Sequence, residues 1–265
     1  MCLLITALRR DDKAQHEQTA TLIAAATRCA VAVPNYSLSS RSPTTGTATK
    51  SGDSPEAAVH VQHPAHARDV LDAFEFLRTW TGPPAVSGDG VQREGPLYDA
   101  RTIFAIGHSC AAHILGSIFL SPQQSPSNPQ LELQPSESLL RAVRGVVTTE
   151  GIFDIDLLLQ SFPGYRQWFI ESAFGPRDNY HEVSLTRFGA RNLEIAWLLF
   201  HSTGDTLVDR AQSAAIYERL QQLYGDRSDA LVGRNWDTFD VEHDDILRSP
   251  ALADLIAQFV HRYTE

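Results

Sequence analysis

Thr102-Ile103-Phe104-Ala105-Ile106-Gly107-His108-Ser109-Cys110-Ala111-Ala112 is the stretch from which the rest of the chain can be read. An apolar strand pattern runs into Gly-His-Ser-Cys-Ala and straight on into an apolar helix. This is the G-x-S-x-G elbow with Ala in the last place. A serine at such an elbow sits on a tight, strained strand-to-helix turn, so small residues are needed two positions before and after it. The turn holds Oγ above the strand ends, where a base can reach it. It also sets the Cys110 backbone N–H at a helix N-terminus, where it can meet a developing oxyanion. Ala111 is a departure, since one methyl group must fit where the elbow crowds its neighbours.

Outward from the elbow, short apolar runs alternate with amphipathic stretches. Leu3–Leu8, Ala30–Pro34, Thr102–Ile106, Gly145–Thr149 and Ile195–His201 read as strands. Each is nearly continuous in apolar residues, as expected when both faces of a parallel sheet are covered. Gln15–Cys29, Ala65–Trp80, Ser109–Leu120, Ala211–Tyr224 and Ala251–Tyr263 carry helical spacing. The alternation predicts an α/β fold, a mostly parallel sheet flanked by helices. Tracts near 37–64, 82–98 and 121–138 are rich in Ser, Thr, Pro, Gly and Gln, and read as surface insertions. The sheet pattern continues across all three, so residues 1–265 are expected to form one domain.

Composition narrows the function classes. The 265 residues include 22 Lys+Arg against 32 Asp+Glu, a formal net charge of -10. That balance, with no basic cluster, argues against capture of nucleic acid or of an anionic lipid surface. No stretch approaches the roughly 18 apolar residues of a membrane span, and the N-terminal apolar run is short for a secretory signal. Three cysteines, Cys2, Cys29 and Cys110, form neither a disulfide framework nor a zinc-ligand spacing. A soluble cytoplasmic protein acting on a small-molecule substrate is the expectation.

An elbow serine needs a base and an acid, which in this chain order follow as acid and then His. Strand Ile195–His201 leads into Ser202-Thr203-Gly204-Asp205, whose Gly-Asp turn puts Asp205 at the carboxyl edge of the sheet. Asp209 reads as the N-cap of the next helix. His243, in Asp240-Val241-Glu242-His243-Asp244-Asp245, lies on a polar loop before the last helix and is the candidate base. His201 precedes the acid and so has the wrong order. The remaining histidines, His108 among them, read as surface or core residues. Asp154, after strand Gly145–Thr149, is the reserve candidate for the acid; Glu150, after the same strand, could approach the site but reads better as a hydrogen-bonded structural acid. Tyr165, Trp168, Phe169 and Phe174 fall near helical spacing and suit either an aromatic substrate wall, with Tyr165 and Trp168 foremost, or a packed helix face.

Several further motifs carry a family resemblance. They are Pro34-Asn35-Tyr36-Ser37, His63-Pro64-Ala65-His66-Ala67-Arg68-Asp69, Glu150-Gly151-Ile152-Phe153-Asp154, Phe162-Pro163-Gly164-Tyr165 and His201-Ser202-Thr203-Gly204-Asp205. With the elbow and the late His243-Asp244, the chain from about residue 30 onward resembles fungal kynurenine formamidases of the α/β-hydrolase fold. The resemblance implies hydrolysis of N-formyl-kynurenine to kynurenine and formate, with Ser109 matching the nucleophile, Asp205 the acid and His243 the base. It implies no metal and no organic cofactor.

The chain departs from that family at its N-terminal end. Family members carry a His-Gly-Gly-x-Trp motif whose backbone amides complete the oxyanion hole, and this sequence has none. If Leu3–Thr6 is the equivalent strand, Thr6-Ala7-Leu8 stands in its place, the Ala7 N–H is the second donor, and strands that normally come earlier are absent. Loss of one oxyanion donor typically costs about 10²–10³ in kcat. Two alternatives therefore stay open. One is an esterase, lactonase or amidase of the same fold, and the other is a catalytically weak protein that binds a ligand.

Overall fold

The structure, a computed structural model, describes residues 1–5, 13–39, 61–80, 82, 96–122 and 132–264. Among these, six parallel strands form the main sheet in the order β2-β1-β3-β5-β7-β8. They are β1 (Cys2–Ile5), β2 (Val31–Ala32), β3 (Ile103–His108), β5 (Val143–Thr149), β7 (Ala196–Phe200) and β8 (Val232–Asn235). A small antiparallel ladder joins β4 (Leu120–Pro122) to β6 (Phe188–Ala190). The longer helices are α1 (Glu17–Thr27), α2 (Ala65–Thr79), α3 (Cys110–Phe119), α7 (Arg210–Tyr224) and α9 (Pro250–Arg262). Shorter ones are α4 (Glu137–Ala142), α5 (Ile155–Ser161), α6 (Glu171–Phe174) and α8 (Ser228–Leu231).

The pleat sorts side chains to the two faces of the sheet. Ile103 and Ala105 of β3 join Val146, Trp197 and Leu199 under α2, α3 and α7, where Phe74, Leu115 and Ile216 are buried. The alternate residues Phe104 and Ile106 join Val147 and Phe200 under α1 and α9, where Ile23, Ile256 and Val260 are buried. Both faces of the central strands are dry, which is why β3 is buried along its whole length. A third apolar cluster, including Ile152, Leu158, Ile170, Phe174 and Val208, forms a helical layer beside the elbow, and Cys110 packs into it.

Several expected elements are shifted or new. The second strand shrinks to Val31–Ala32, and the helix predicted to run through Leu120 stops at Phe119 because Leu120–Pro122 becomes β4. The tract 121–138 is thus not all insertion: it starts in a strand and ends at Ser136, whose hydroxyl caps α4 by accepting from the Leu139 N–H. Strand β8 and helix α5 were not anticipated. Most of the other two Ser/Pro/Gly tracts and residues 6–8 of the first strand lie outside the described residues. No helix among the described residues is long and apolar enough to cross a membrane.

Candidate active site

The registers of the central strands align their carboxyl ends. His108 pairs with Thr149, Thr149 with Phe200, and Phe200 with Asn235. The ladder then runs one residue further: Ser109 N–H donates to Thr149 O, Glu150 N–H to Phe200 O, and His201 N–H to Asn235 O. Ser109, Glu150 and the acid loop after His201 therefore rise from one edge of the sheet.

Ser109 has φ 56° and ψ -123°, a conformation that β-carbon-bearing residues resist. Gly107 makes the elbow possible, since a Cβ there would meet the Leu115 Cδ1 at 2.8 Å and the Ala111 carbonyl carbon at 3.0 Å. Ala111 itself is accommodated with no exposure. The Ser109 carbonyl accepts from Ala112 N–H, at 3.1 Å, and from Ile152 N–H, at 3.2 Å, which ties the turn to the segment after β5. Cys110 opens α3, so its N–H lies in the first turn as the motif requires.

Asp205 and His243 meet. His243 Nδ1–H donates to Asp205 Oδ2 at 2.8 Å, and the Asp205 side chain is fully buried. Asp205 Oδ1 accepts from the N–H groups of Leu207 and Val208, at 2.8 and 3.0 Å. Burial alone would push this carboxyl up, but the His243 bond and charge and the two backbone donors outweigh it and hold Asp205 below its ordinary value. The arrangement leaves His243 Nε2 as the nitrogen able to accept a proton. No hydrogen bond joins Ser109 Oγ to the His243 ring among the described residues, a spacing common in ligand-free sites.

The two loops that carry acid and base are laced together. Ser202 Oγ donates to Val241 O at 2.6 Å and accepts from Val241 N–H at 2.7 Å. Thr203 N–H donates to Phe239 O, and Thr206 Oγ1 donates to Glu242. Gly204 is required by this closeness, because a Cβ would lie 2.9 Å from the Val241 backbone N.

A second His–Asp contact braces the first. His108 Nε2–H donates to Asp244 at 3.2 Å, while its Nδ1 accepts from the Thr149 hydroxyl at 2.8 Å. Burial holds His108 below its ordinary value, which keeps it neutral. The bond to His108 holds Asp244 below its own ordinary value, against a smaller effect of burial. The His108 and His243 rings pack with centroids 4.6 Å apart. His108, read from sequence as a surface or core residue, thus links the elbow to the loop of the candidate base. Its place beside the elbow serine was the available signal.

Other readings change as well. Asp205, not Asp154, bonds His243 among the described residues; Asp154 caps α5 by accepting from Leu157 N–H and also binds the Ser184 and Thr186 hydroxyls. Asp209 occupies the N-cap position of α7, but its side chain makes no capping bond. His201 is buried, with Nε2 on Val208 O and Nδ1 on Ser213 Oγ. Glu150 is fully buried and neither of its carboxyl oxygens completes a hydrogen bond of ordinary geometry, in contrast to the structural acid expected. Ala7 lies outside the described residues.

Tyr165 and Trp168 stand beside the acid loop. The Tyr165 hydroxyl donates to Leu207 O at 2.9 Å, and burial together with the Asp205 charge pushes that phenol up. Tyr165 stacks on Phe162 with centroids 4.8 Å apart and meets Trp168 edge-on at 4.9 Å. Trp168 remains 45% exposed. The helix around them contains one wide π turn, Arg166–Ile170, a distortion frequent at functional sites.

Among the described residues, two groups of atoms lie close enough to share a cation: His108, His243 and Asp244, and Glu150, Asp205 and His243. Both are built on imidazole–carboxylate hydrogen bonds already made, with His243 Nδ1 committed to Asp205 and His108 Nε2 to Asp244. Proton transfer is the chemistry this arrangement suits best.

No family profile matches the chain. Kynurenine formamidase of Meyerozyma guilliermondii is 25% identical over 166 residues, covering 61% of this chain and 54% of that protein. Kynurenine formamidase of Scheffersomyces stipitis is 25% identical over 217 residues, covering 75% and 71%. The chain thus spans about half the length of the first relative and seven-tenths of the second. Among solved structures, a thermophilic esterase of Thermogutta terrifontis with propionate bound superposes with a TM-score of 0.59 at 11% identity, covering 98% of this chain and 82% of that one. A truncated carbohydrate esterase from gut microbiota gives 0.64 at 14% identity, covering 100% and 86%. The chain has the α/β-hydrolase fold, and in sequence it is similar to the kynurenine formamidases of yeasts.

Proposed function

We propose that the chain is a serine hydrolase that cleaves a formamide, with N-formyl-kynurenine as the first substrate to try. The single observation carrying the reading is the 2.8 Å bond from His243 to the buried Asp205, set at the sheet edge from which the strained Ser109 rises. Similarity to two proteins named kynurenine formamidase supports the choice of substrate. In this mechanism His243 Nε2 takes the Ser109 proton as Oγ attacks the formyl carbon, and Asp205 stabilises the imidazolium. The Cys110 N–H bonds the oxyanion. His243 returns its proton to the departing aryl amine, and water, activated by the same imidazole, releases formate and frees Ser109. Tyr165 and Trp168 offer aromatic faces for an aminoaryl ketone.

Fluorophosphonate labelling followed by intact mass tests the reading. A single adduct on wild type that is absent from Ser109→Ala is expected, together with formate release from N-formyl-kynurenine. Labelling without formate release favours the second reading, an esterase, lactonase or amidase, to which the fold likeness to esterases lends support. A folded wild type that takes no adduct removes the hydrolase reading and leaves a ligand-binding protein.

A further inference from the structure

Glu150 is the buried group beside His243 that the proposed triad leaves unused. It follows the last residue of β5, holds φ at 52°, and its side chain has no exposure. Its Oε2 lies 3.6 Å from His243 Nδ1, the atom whose hydrogen goes to Asp205 at 2.8 Å. The same oxygen is 3.9 Å from His108 Nδ1. Two carboxyl groups therefore converge on one imidazole nitrogen, one bonded and the other less than 1 Å beyond bonding distance.

We propose that Glu150 is a reserve acid: a positioning residue that accepts the His243 Nδ1–H once the Asp205 carboxylate is removed. The inference rests on the triad reading above. Two carboxylates this close cannot both be charged cheaply, so the pair carries one proton between them. Burial first, and then the Asp205 charge, push Glu150 up to about 9, with Asp244 and Glu242 acting in the same direction. The Ser202 backbone N–H, at the margin of a hydrogen bond, is the one group favouring the charged form. His108 and His243 complete the surroundings, and neither His108 nitrogen is vacant. In the intact site Glu150 is thus neutral and Asp205 charged. When the Asp205 carboxylate is removed, the nearest repulsion disappears, Glu150 releases its proton to solvent, and its carboxylate closes on His243 Nδ1. Glu150 holds the sheet-edge place after β5 at which Asp154 was the sequence candidate.

A double-mutant cycle tests this. Second-order rates of fluorophosphonate labelling are measured for wild type, Glu150→Gln, Asp205→Ala and the double variant. Glu150→Gln is expected to slow wild type by about threefold and Asp205→Ala by a further thirtyfold or so, a coupling that a merely structural role does not produce. Equal factors in both backgrounds overturn the proposal. Asp205→Asn serves as the second background, because it keeps an acceptor for the Leu207 and Val208 N–H groups where Asp205→Ala can fail to fold. Independently of turnover, ¹³C NMR of carboxyl-labelled glutamate follows Glu150, assigned by the signal missing in Glu150→Gln. Its titration is expected to move to lower pH in the Asp205 variants than in wild type. A wild type that takes no adduct sinks the triad reading, while a Glu150 whose titration does not move in either Asp205 variant sinks the reserve acid.

Discussion

Two regions that meet at the Asp205 loop, a buried flank and an aromatic flank, are built in opposite ways. On one side Asp205, His243, His108 and Glu150 are almost wholly buried, and the first three are held by hydrogen bonds between strand ends and laced loops. On the other side Tyr165 and Trp168 are held by ring stacking, and Trp168 keeps nearly half its surface in water. Burial strengthens electrostatics and fixes geometry, which proton transfer needs. Half-exposed aromatic faces give contact area with little geometric demand, which suits recognition of a planar ligand. Substitutions on the buried flank should therefore act on kcat, and those on the aromatic flank on KM.

The largest effect should come from His243→Ala, which removes the base and is expected to lower kcat by up to about 10⁶-fold while the melting temperature changes little. A loss smaller than 100-fold in steady-state assays would break the buried-flank argument. Asp244→Asn weakens only the brace between His108 and the base loop, and kcat should fall by about tenfold with KM unchanged. The acid-side stability of Asp244 has a definite sign. Its folded value lies below the ordinary one, so its stabilisation is present above about pH 4 and is lost as pH falls through the folded value. Urea midpoints of wild type and Asp244→Asn should converge in that acid range.

Glu150 predicts the opposite slope. Its folded value is raised to about 9 from an ordinary 4.5, so between those limits the folded chain holds a proton that the unfolded chain has lost. Wild-type stability should fall with rising pH across that window, and Glu150→Gln, which has no proton to hold, should gain on it steadily. Parallel urea curves from pH 5 to 9 would contradict a neutral buried carboxyl. The smallest effect belongs to the aromatic flank: Trp168→Ala should raise KM for aryl substrates about three- to tenfold and leave kcat, and turnover of a small alkyl ester, nearly as before. An equal loss for aryl and alkyl substrates would erase the contrast between the flanks.

Much of the buried flank was legible from sequence. A strand, Gly107, Ser109 and an apolar helix mark the elbow, and a strand followed by the Gly204-Asp205 turn marks the proposed acid, because apolar runs and glycines are local signals. His243 followed from chain order. The partners of Glu150 and His108 are not legible in the same way, because they depend on register across three strands. Strand β8 escaped because it is an edge strand whose four residues include only one buried apolar side chain, Val232, while the exposed Arg234 lies 4.3 Å over the Trp236 ring. Asp154 was taken for a possible acid on the strength of its position after a strand. Its spacing ahead of Leu157 is also that of an ordinary N-cap, and the cap is what forms.

The lacing of the Ser202–Thr206 segment to Phe239–Glu242 has a consequence for how this site can be altered. Gly204 lies against the Val241 backbone with no room for a methyl group, and Ser202 exchanges two hydrogen bonds with the same residue. The proposed acid and base therefore travel as one cassette. A graft that imports a new acid loop alone will arrive without its mate, whereas the two segments transplanted together carry their own spacing into a foreign scaffold.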